Sequence, residues 1–325
     1  MTTRRHILIS LAAACAAGPS LAQTDKTLHL GAIASGGPIT ADSPLGRILL
    51  TALADLGYAP GRNLAFIARG AMGDLAKLPG LIQELSAAGA EILVAIGYPS
   101  AAAAKAAGIS TVIFAGAGDP VETGLVESWA HPGGVVTGIS DVAATLTIKR
   151  LALLKAFSPQ MKRVAMLWNT DDRAMTLRYQ ASADTAQMQG LIVQPLGVRE
   201  PDDFNGAFAA MDRDKPDAIL MVADALTVLN RKRVFDYAAA HRLPAIYETD
   251  FFARDGGLMS YGADQRESLT RAASMVDRIF KGARPADIPF EQPTRYLFVI
   301  NLKTAKAMGL EPPVTLLGLA DDVIE

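Results

Sequence analysis

Four short apolar runs, each ending in small and polar residues, constrain this chain most. Residues 91–96 (EILVAI), 111–114 (TVIF), 218–222 (AILMV) and 244–247 (PAIY) lack the polar alternation of a half-buried strand. Runs of that length predict strands buried on both faces of a parallel sheet. The residues that follow them, 97–100, 115–120, 223–227 and 247–250, then stand at the carboxyl edge of a sheet, where open α/β sheets bind ligands. Two tips fall in the first half of the chain and two in the second, which predicts a cleft between two similar domains.

From Leu28 onward such strands alternate with amphipathic helices, the pattern of a doubly wound α/β protein. Strands are expected at 28–34, 64–68, 92–96, 111–114 and 135–139, and again at 164–168, 192–196, 218–222, 245–247 and 258–261. Between them the spacing predicts helices that include 142–157, 173–188 and a single helix over 226–241. The end departs from this repeat: a helix at 268–280, a proline-rich stretch at 285–293, a strand at 297–300, a short helix through Met308 and an apolar segment at 314–319. Two doubly wound parallel-sheet domains follow, joined by a three-segment hinge. Residues 23–140 with about 263–290 form the first lobe, and 141–262 with about 291–325 the second. One sheet for all 325 residues is disfavoured, because single cores stop growing at roughly 250–300 residues.

The first 22 residues read as an export signal: Arg4 and Arg5, an apolar stretch at 7–17, and a small-residue end at Ser20-Leu21-Ala22. That stretch is well short of the roughly 20 residues needed to span a bilayer. The segment around Arg4 and Arg5 is similar to a twin-arginine signal, the general secretory route being the alternative. The only cysteine, Cys15, lies in the leader, where lipidation is a further alternative; the mature chain then has no thiol, as suits an oxidising compartment. A formal net charge of −2, with no basic run, lacks the electrostatic footprint of a nucleic-acid binder. A soluble, monomeric, periplasmic protein is expected.

Signatures of catalysis are scarce. His29, His131 and His241 lie in different elements without metal-ligand spacing, and neither a GxSxG elbow nor a phosphate-binding glycine loop is present. No cofactor, metal or enzymatic activity is expected, and what remains suits reversible capture of a small polar molecule. Ser100, at the start of a helix, is either a plain N-cap or a carboxylate contact. Tyr98 beside Pro99 offers a ring to an aromatic or apolar body, Ser35 and Gly36 add a hydroxyl and an amide, and Ala115 and Gly116 bring backbone amides close. Asp119, Asp224 and Glu248 stand at strand ends where one of them can hold an ammonium, Asp224 being preferred. Asn169 and Asp141 are further candidates, and Tyr247 precedes Glu248 on the same tip.

Several segments carry a family resemblance: GYAPGRNL at 57–64, DPVETGLVESWAHPGGVVTGIS at 119–140, LPAIYE at 243–248, GGLMSYG at 256–262 and QPTRYLFVINLKTAKAMGL at 292–310. With the leader, they closely resemble the ABC-transporter substrate-binding proteins of the type I periplasmic binding fold, in the branch that includes tryptophan and related amino-acid binders. The resemblance implies a receptor that closes two lobes over its ligand and presents it to a membrane permease. It implies that Ser100 with residues 115–118 meets a ligand carboxylate, and that Asp224 or Glu248 holds the ammonium. The loop SGGPITADSP at 35–44 is more polar, and 115–118 smaller, than the family pattern. A ligand sensor for a kinase or chemoreceptor, a periplasmic enzyme and a repressor sensor domain are the competing readings; a leader where a repressor carries its DNA-binding headpiece disfavours the last.

Overall fold

The computed structural model describes residues 27–325, so the expected export leader lies outside the described residues. Five parallel strands, β1 (Leu28–Ala34), β2 (Leu64–Gly70), β3 (Ile92–Ile96), β4 (Ser110–Ala115) and β5 (Val136–Gly138), form the first sheet in the order β2-β1-β3-β4-β5. The second sheet holds β6 (Arg163–Asn169), β7 (Ile192–Val198), β8 (Ala218–Met221), β9 (Ala245–Tyr247), β10 (Met259–Ala263), β11 (Tyr296–Asn301) and β12 (Asp322–Ile324), in the order β12-β11-β10-β9-β8-β6-β7. The five strands β7-β6-β8-β9-β10 repeat the order of the first sheet. Added beyond them are β11, antiparallel to β10, and β12, parallel to β11.

Burial explains the sequence pattern. β8 and β9 are buried at every position, as a central strand covered by helices on both faces requires, whereas the edge strand β7 alternates in its second half. Helix Gln265–Phe280 follows β10 of the second sheet but buries Leu269, Ala272, Ala273 and Val276 among Leu49, Leu53, Val112 and Phe114 of the first lobe. Each large apolar side chain covered in this way stabilises the fold by about 1.5–3 kcal/mol, which is what draws the helix back. The chain therefore passes between sheets three times, after β5, after β10 and before β11. Two of these segments are bonded side by side, with the Glu291 amide donating to the Gly138 carbonyl at 2.8 Å and the Ser140 amide to the Glu291 carbonyl at 2.9 Å.

Several elements differ from expectation. The helix expected at 142–157 begins only at Thr147, because Val142 is left-handed (φ 43°) and residues 141–146 turn at the hinge. The helix expected at 226–241 is two, Ala225–Leu229 and Arg231–His241, interrupted at Asn230, whose side-chain amide donates to the Leu226 carbonyl at 3.0 Å. β12 was not expected, since a strand at the exposed edge needs no apolar run.

The lobes touch across the cleft. A Cβ at Gly36 would stand 3.7 Å from the Ala225 Cβ, one at Gly118 would stand 3.1 Å from the Ala174 Cβ, and Arg173 Nη2 donates to the Glu122 carbonyl at 3.2 Å. This is a closed arrangement. On β10, a Cβ at Gly262 would fall 1.7 Å from the Glu248 carbonyl oxygen, so only glycine lets the two tips meet. Gly262→Ala is expected to destabilise the protein by about 2–3 kcal/mol in denaturant titration; an unchanged midpoint would contradict that packing.

Candidate functional site

On the first-lobe edge, β1 leads into Ser35 and β3 turns at Gly97 into the helix Tyr98–Ala106. Gly97 is left-handed (φ 88°), and a Cβ there would lie 3.0 Å from Ser35 Oγ, so the turn needs glycine. The N-cap position is thus Gly97, and Ser100, expected there, sits inside the first turn. Its hydroxyl is buried and 2.9 Å from that of Ser35. Pro99 occupies the first turn, where its missing N–H costs nothing. The amides of Gly97 and Tyr98 donate to the carbonyls of Ala115 and Gly116 at 3.0 and 2.8 Å, which ties the two tips together. The Tyr98 side chain packs against the cores of both lobes. The Gly116 amide, expected to be free for a ligand, donates instead to Asp141 Oδ2 at 3.0 Å.

On the second-lobe edge, Asn169 ends β6 and its Nδ2 donates to Asp224 Oδ2 at 2.6 Å. Asp224 caps the helix Ala225–Leu229 and is paired with Thr227 in a reciprocal capping box. Asp172 caps the helix Arg173–Met188, its Oδ1 accepting from the Ala174 amide at 2.9 Å. β6 and β8 are neighbours, so these two caps stand on adjacent strand ends. Burial and then the charge of Asp224 push the Asp172 carboxyl up to about 7. Burial also raises Asp224, against hydrogen bonds from Thr227 and Asn169 that favour the ionised form. Among the described residues neither carboxylate has an ion-pair partner.

Beneath this edge lies a buried charge network. Arg178 donates through Nη2 to both oxygens of Asp141, at 2.8 and 2.9 Å, and through Nη1 to Glu248 Oε2 at 2.7 Å. Arg150, wholly buried, reaches Glu248 Oε1 at 3.4 Å, the Tyr261 carbonyl at 2.7 Å and the Ala143 carbonyl at 2.6 Å. Burial alone would raise the Asp141 carboxyl, but the charge of Arg178 and the Gly116 amide outweigh it and hold it below its usual range. Glu248, expected to face a ligand ammonium, is placed here, with its second oxygen also accepting from the Ala223 amide at 3.0 Å.

Of the other candidates, Asp119 borders the space between the lobes and Tyr247 does not. Asp119 is exposed, and its Oδ1 accepts from the amides of Val121 and Glu122 at 2.8 and 3.0 Å, capping a turn. Tyr247 belongs to the second-lobe core, stacked on Phe252 with ring centroids 5.3 Å apart. The cleft groups that sequence reasoning missed are Asp172, Arg150 and Arg178. Asp172 carries a signal, an acidic residue between a strand end and a helix. The arginines carry none, because a charged residue on an amphipathic helix reads as its wet face. Between the lobes on the hinge side lies a cavity of about 260 Å³. Among the described residues no cluster of His, Cys, Asp or Glu can hold a metal, and no helix is long and apolar enough to cross a membrane.

Two hinged α/β lobes with polar strand ends facing each other define a two-lobed solute-binding protein. Residues 46–324 match the family described as ABC transporter substrate binding protein, and the chain belongs to that family. Among curated relatives it is 27% identical over 264 residues, 81% of this chain and 75% of the other, to a tyrosine-binding protein of Clostridioides difficile. Among solved structures it is similar to an ABC domain from Streptococcus pneumonia in complex with L-Trp, with a TM-score of 0.80 and 25% identity, covering 92% of this chain and 100% of the other. It shares its fold with the ligand-free, open form of a Clostridium difficile substrate binding protein, with a TM-score of 0.64 and 23% identity over 92% of this chain and 99% of the other.

The raised carboxyl of Asp172 has a testable consequence. The folded protein holds this proton more tightly than the unfolded chain, so ionising the group costs stability progressively as pH rises from about 4 to about 7, and fully above that. Asp172→Asn keeps a competent N-cap and removes the cost. Its melting temperature is expected to exceed that of the parent protein at pH 8, with the gain vanishing near pH 4; a gain independent of pH would contradict this.

Proposed function

We propose that this protein is a periplasmic receptor of an ABC importer, which captures an amino acid between its lobes and delivers it to an inner-membrane permease. One observation carries the reading: two carboxylates with no direct ion-pair contact, Asp172 and Asp224, stand with Asn169 on one edge, while the hydroxyl pair Ser35 and Ser100 stands on the other. An ammonium bound between Asp224, Asp172 and the Asn169 carbonyl oxygen would supply the missing charge with three donors. The hydroxyls of Ser35 and Ser100, at the start of a helix, would receive the ligand carboxylate. Such a molecule touches both lobes and so binds the closed form better than the open one, the condition for driving closure.

The tyrosine-binding relative and the L-Trp complex support an amino acid as the ligand class. Residues 1–22, read as a cleavable leader, support export to the periplasm, with the mature protein soluble and monomeric. A thermal-shift screen of the twenty L-amino acids should find at least one that raises the melting temperature, since a ligand that prefers the native state stabilises it by mass action. Asp224→Asn, which keeps the helix cap, should then weaken the best binder by about tenfold or more in calorimetry. Unchanged affinity would remove Asp224 from the site.

A further inference from the structure

The short helix Ala225–Leu229 belongs to the second lobe but lies against two strand tips of the first. Ala225 and Leu229, four residues apart, share one face of it. At its start a Cβ at Gly36 would stand 3.7 Å from the Ala225 Cβ, and at its end a Cβ at Gly73 would stand 3.2 Å from Leu229 Cδ1. Gly36 lies just beyond β1 and Gly73 just beyond β2. The two tips are tied together, with the amides of Ala71, Met72 and Gly73 donating to the carbonyls of Ala34, Gly36 and Ser35, each at 2.9 Å. The chain makes this turn with left-handed backbone at Met72 (φ 54°) and Gly73 (φ 86°), a conformation that strains a methionine. That strain is held where the second lobe arrives.

Leu229 adds little to its own lobe. Leu226 is buried and Val228 packs against the second-lobe core, whereas Leu229 stays 42% exposed and joins none of the apolar cores among the described residues. The break at Asn230 fixes where it stands. The backbone amide and the side-chain amide of Asn230 both donate to the Leu226 carbonyl, at 3.1 and 3.0 Å, and Arg231 Nη1 donates to the Val228 carbonyl at 2.7 Å, so the short helix is closed off by its own caps. Ser35 and Asp224, the ligand-facing groups of the proposed site, precede Gly36 and Ala225 at the other end of the helix. Leu229 therefore meets the first lobe about one helical turn beyond the position where a solute would sit.

Resting on the reading of a receptor that closes over its solute, we infer that the contact of Leu229 with Gly73 is a closing latch. Leu229 is then a positioning residue, which sets affinity by favouring the closed form and touches no ligand atom. Its contribution is the same for every solute, because it acts on the closing equilibrium alone.

A cross-link reads that equilibrium without any ligand. Cys15 is the only cysteine, so a chain beginning at residue 23 has none, and Gly36→Cys with Ala225→Cys supplies a single thiol pair. Their Cβ separation of 3.7 Å lies within the roughly 3.5–4.5 Å that a disulfide spans. Oxidised glutathione closes the pair, the two thiols passing their hydrogens to give two molecules of reduced glutathione, and the rate follows the fraction of protein that is closed. Adding Leu229→Ala should slow cross-linking about threefold or more with the circular dichroism unchanged. In the cysteine-free chain the same substitution should weaken each L-amino acid that binds by one common factor, measured by calorimetry. Leu229→Met, which keeps the apolar reach, should restore both. A rate indifferent to Leu229→Ala, a thiol pair that never cross-links, or affinities that fall by unequal factors would overturn the latch. Slowed cross-linking in a protein that binds no L-amino acid would uphold the latch and overturn the amino-acid reading alone.

Discussion

Arg178 holds two carboxylates at once, and the relation between the lobes depends on that. One partner, Asp141, lies where the chain first leaves the first sheet and also receives the Gly116 amide from the tip of β4. The other, Glu248, stands at the tip of β9 and is shared with Arg150, which is tied in turn to the carbonyl of Tyr261 on β10. A continuous path of charge-assisted bonds thus runs from the first-lobe edge through the hinge into the second sheet. Two arginines and two carboxylates thus meet with balanced charge. Removing one member of such a set would leave the others uncompensated, which commonly costs about 3–5 kcal/mol.

The charge that this network leaves over gives the cleft its chemistry. Glu248 and Asp141 are fully engaged, so neither offers a free negative charge to a solute. Asp172 and Asp224 are not paired, and they repel each other across adjacent strand ends. Holding both ionised costs stability, which in the proposed reading a bound ammonium offsets. Gly36, next to Ser35, comes within van der Waals reach of Ala225, next to Asp224, so the serine tip stands across the gap from the acidic one. The chain belongs to a substrate-binding family, and the geometry of its cleft is of the kind such capture needs.

Much of the fold was legible because buried parallel strands leave unbroken apolar runs. The strands at 28–34, 92–96 and 245–247 and the helix at 173–188 match their expected limits. Elements governed by single backbone positions were not: Val142 delays one helix and Asn230 splits another, and neither residue type announces this. In the site, the strand-end rule brought Ser35, Ser100, Asn169 and Asp224 into view. It also drew in Tyr247, since a tip contains inward- and outward-facing side chains that sequence alone does not distinguish. It could not tell an acidic residue without an ion-pair partner from one already claimed: Glu248 and Asp224 look alike until Arg178 and Arg150, from distant helices, are placed beside one of them.

Closure by a molecule that bridges both lobes is most directly measured by small-angle X-ray scattering of the mature chain, without ligand and with its tightest-binding amino acid at saturation. The radius of gyration should fall when that compound is added, as an open ensemble gives way to the closed arrangement seen here. A radius that stays constant, with binding verified in the same sample, would contradict ligand-driven closure.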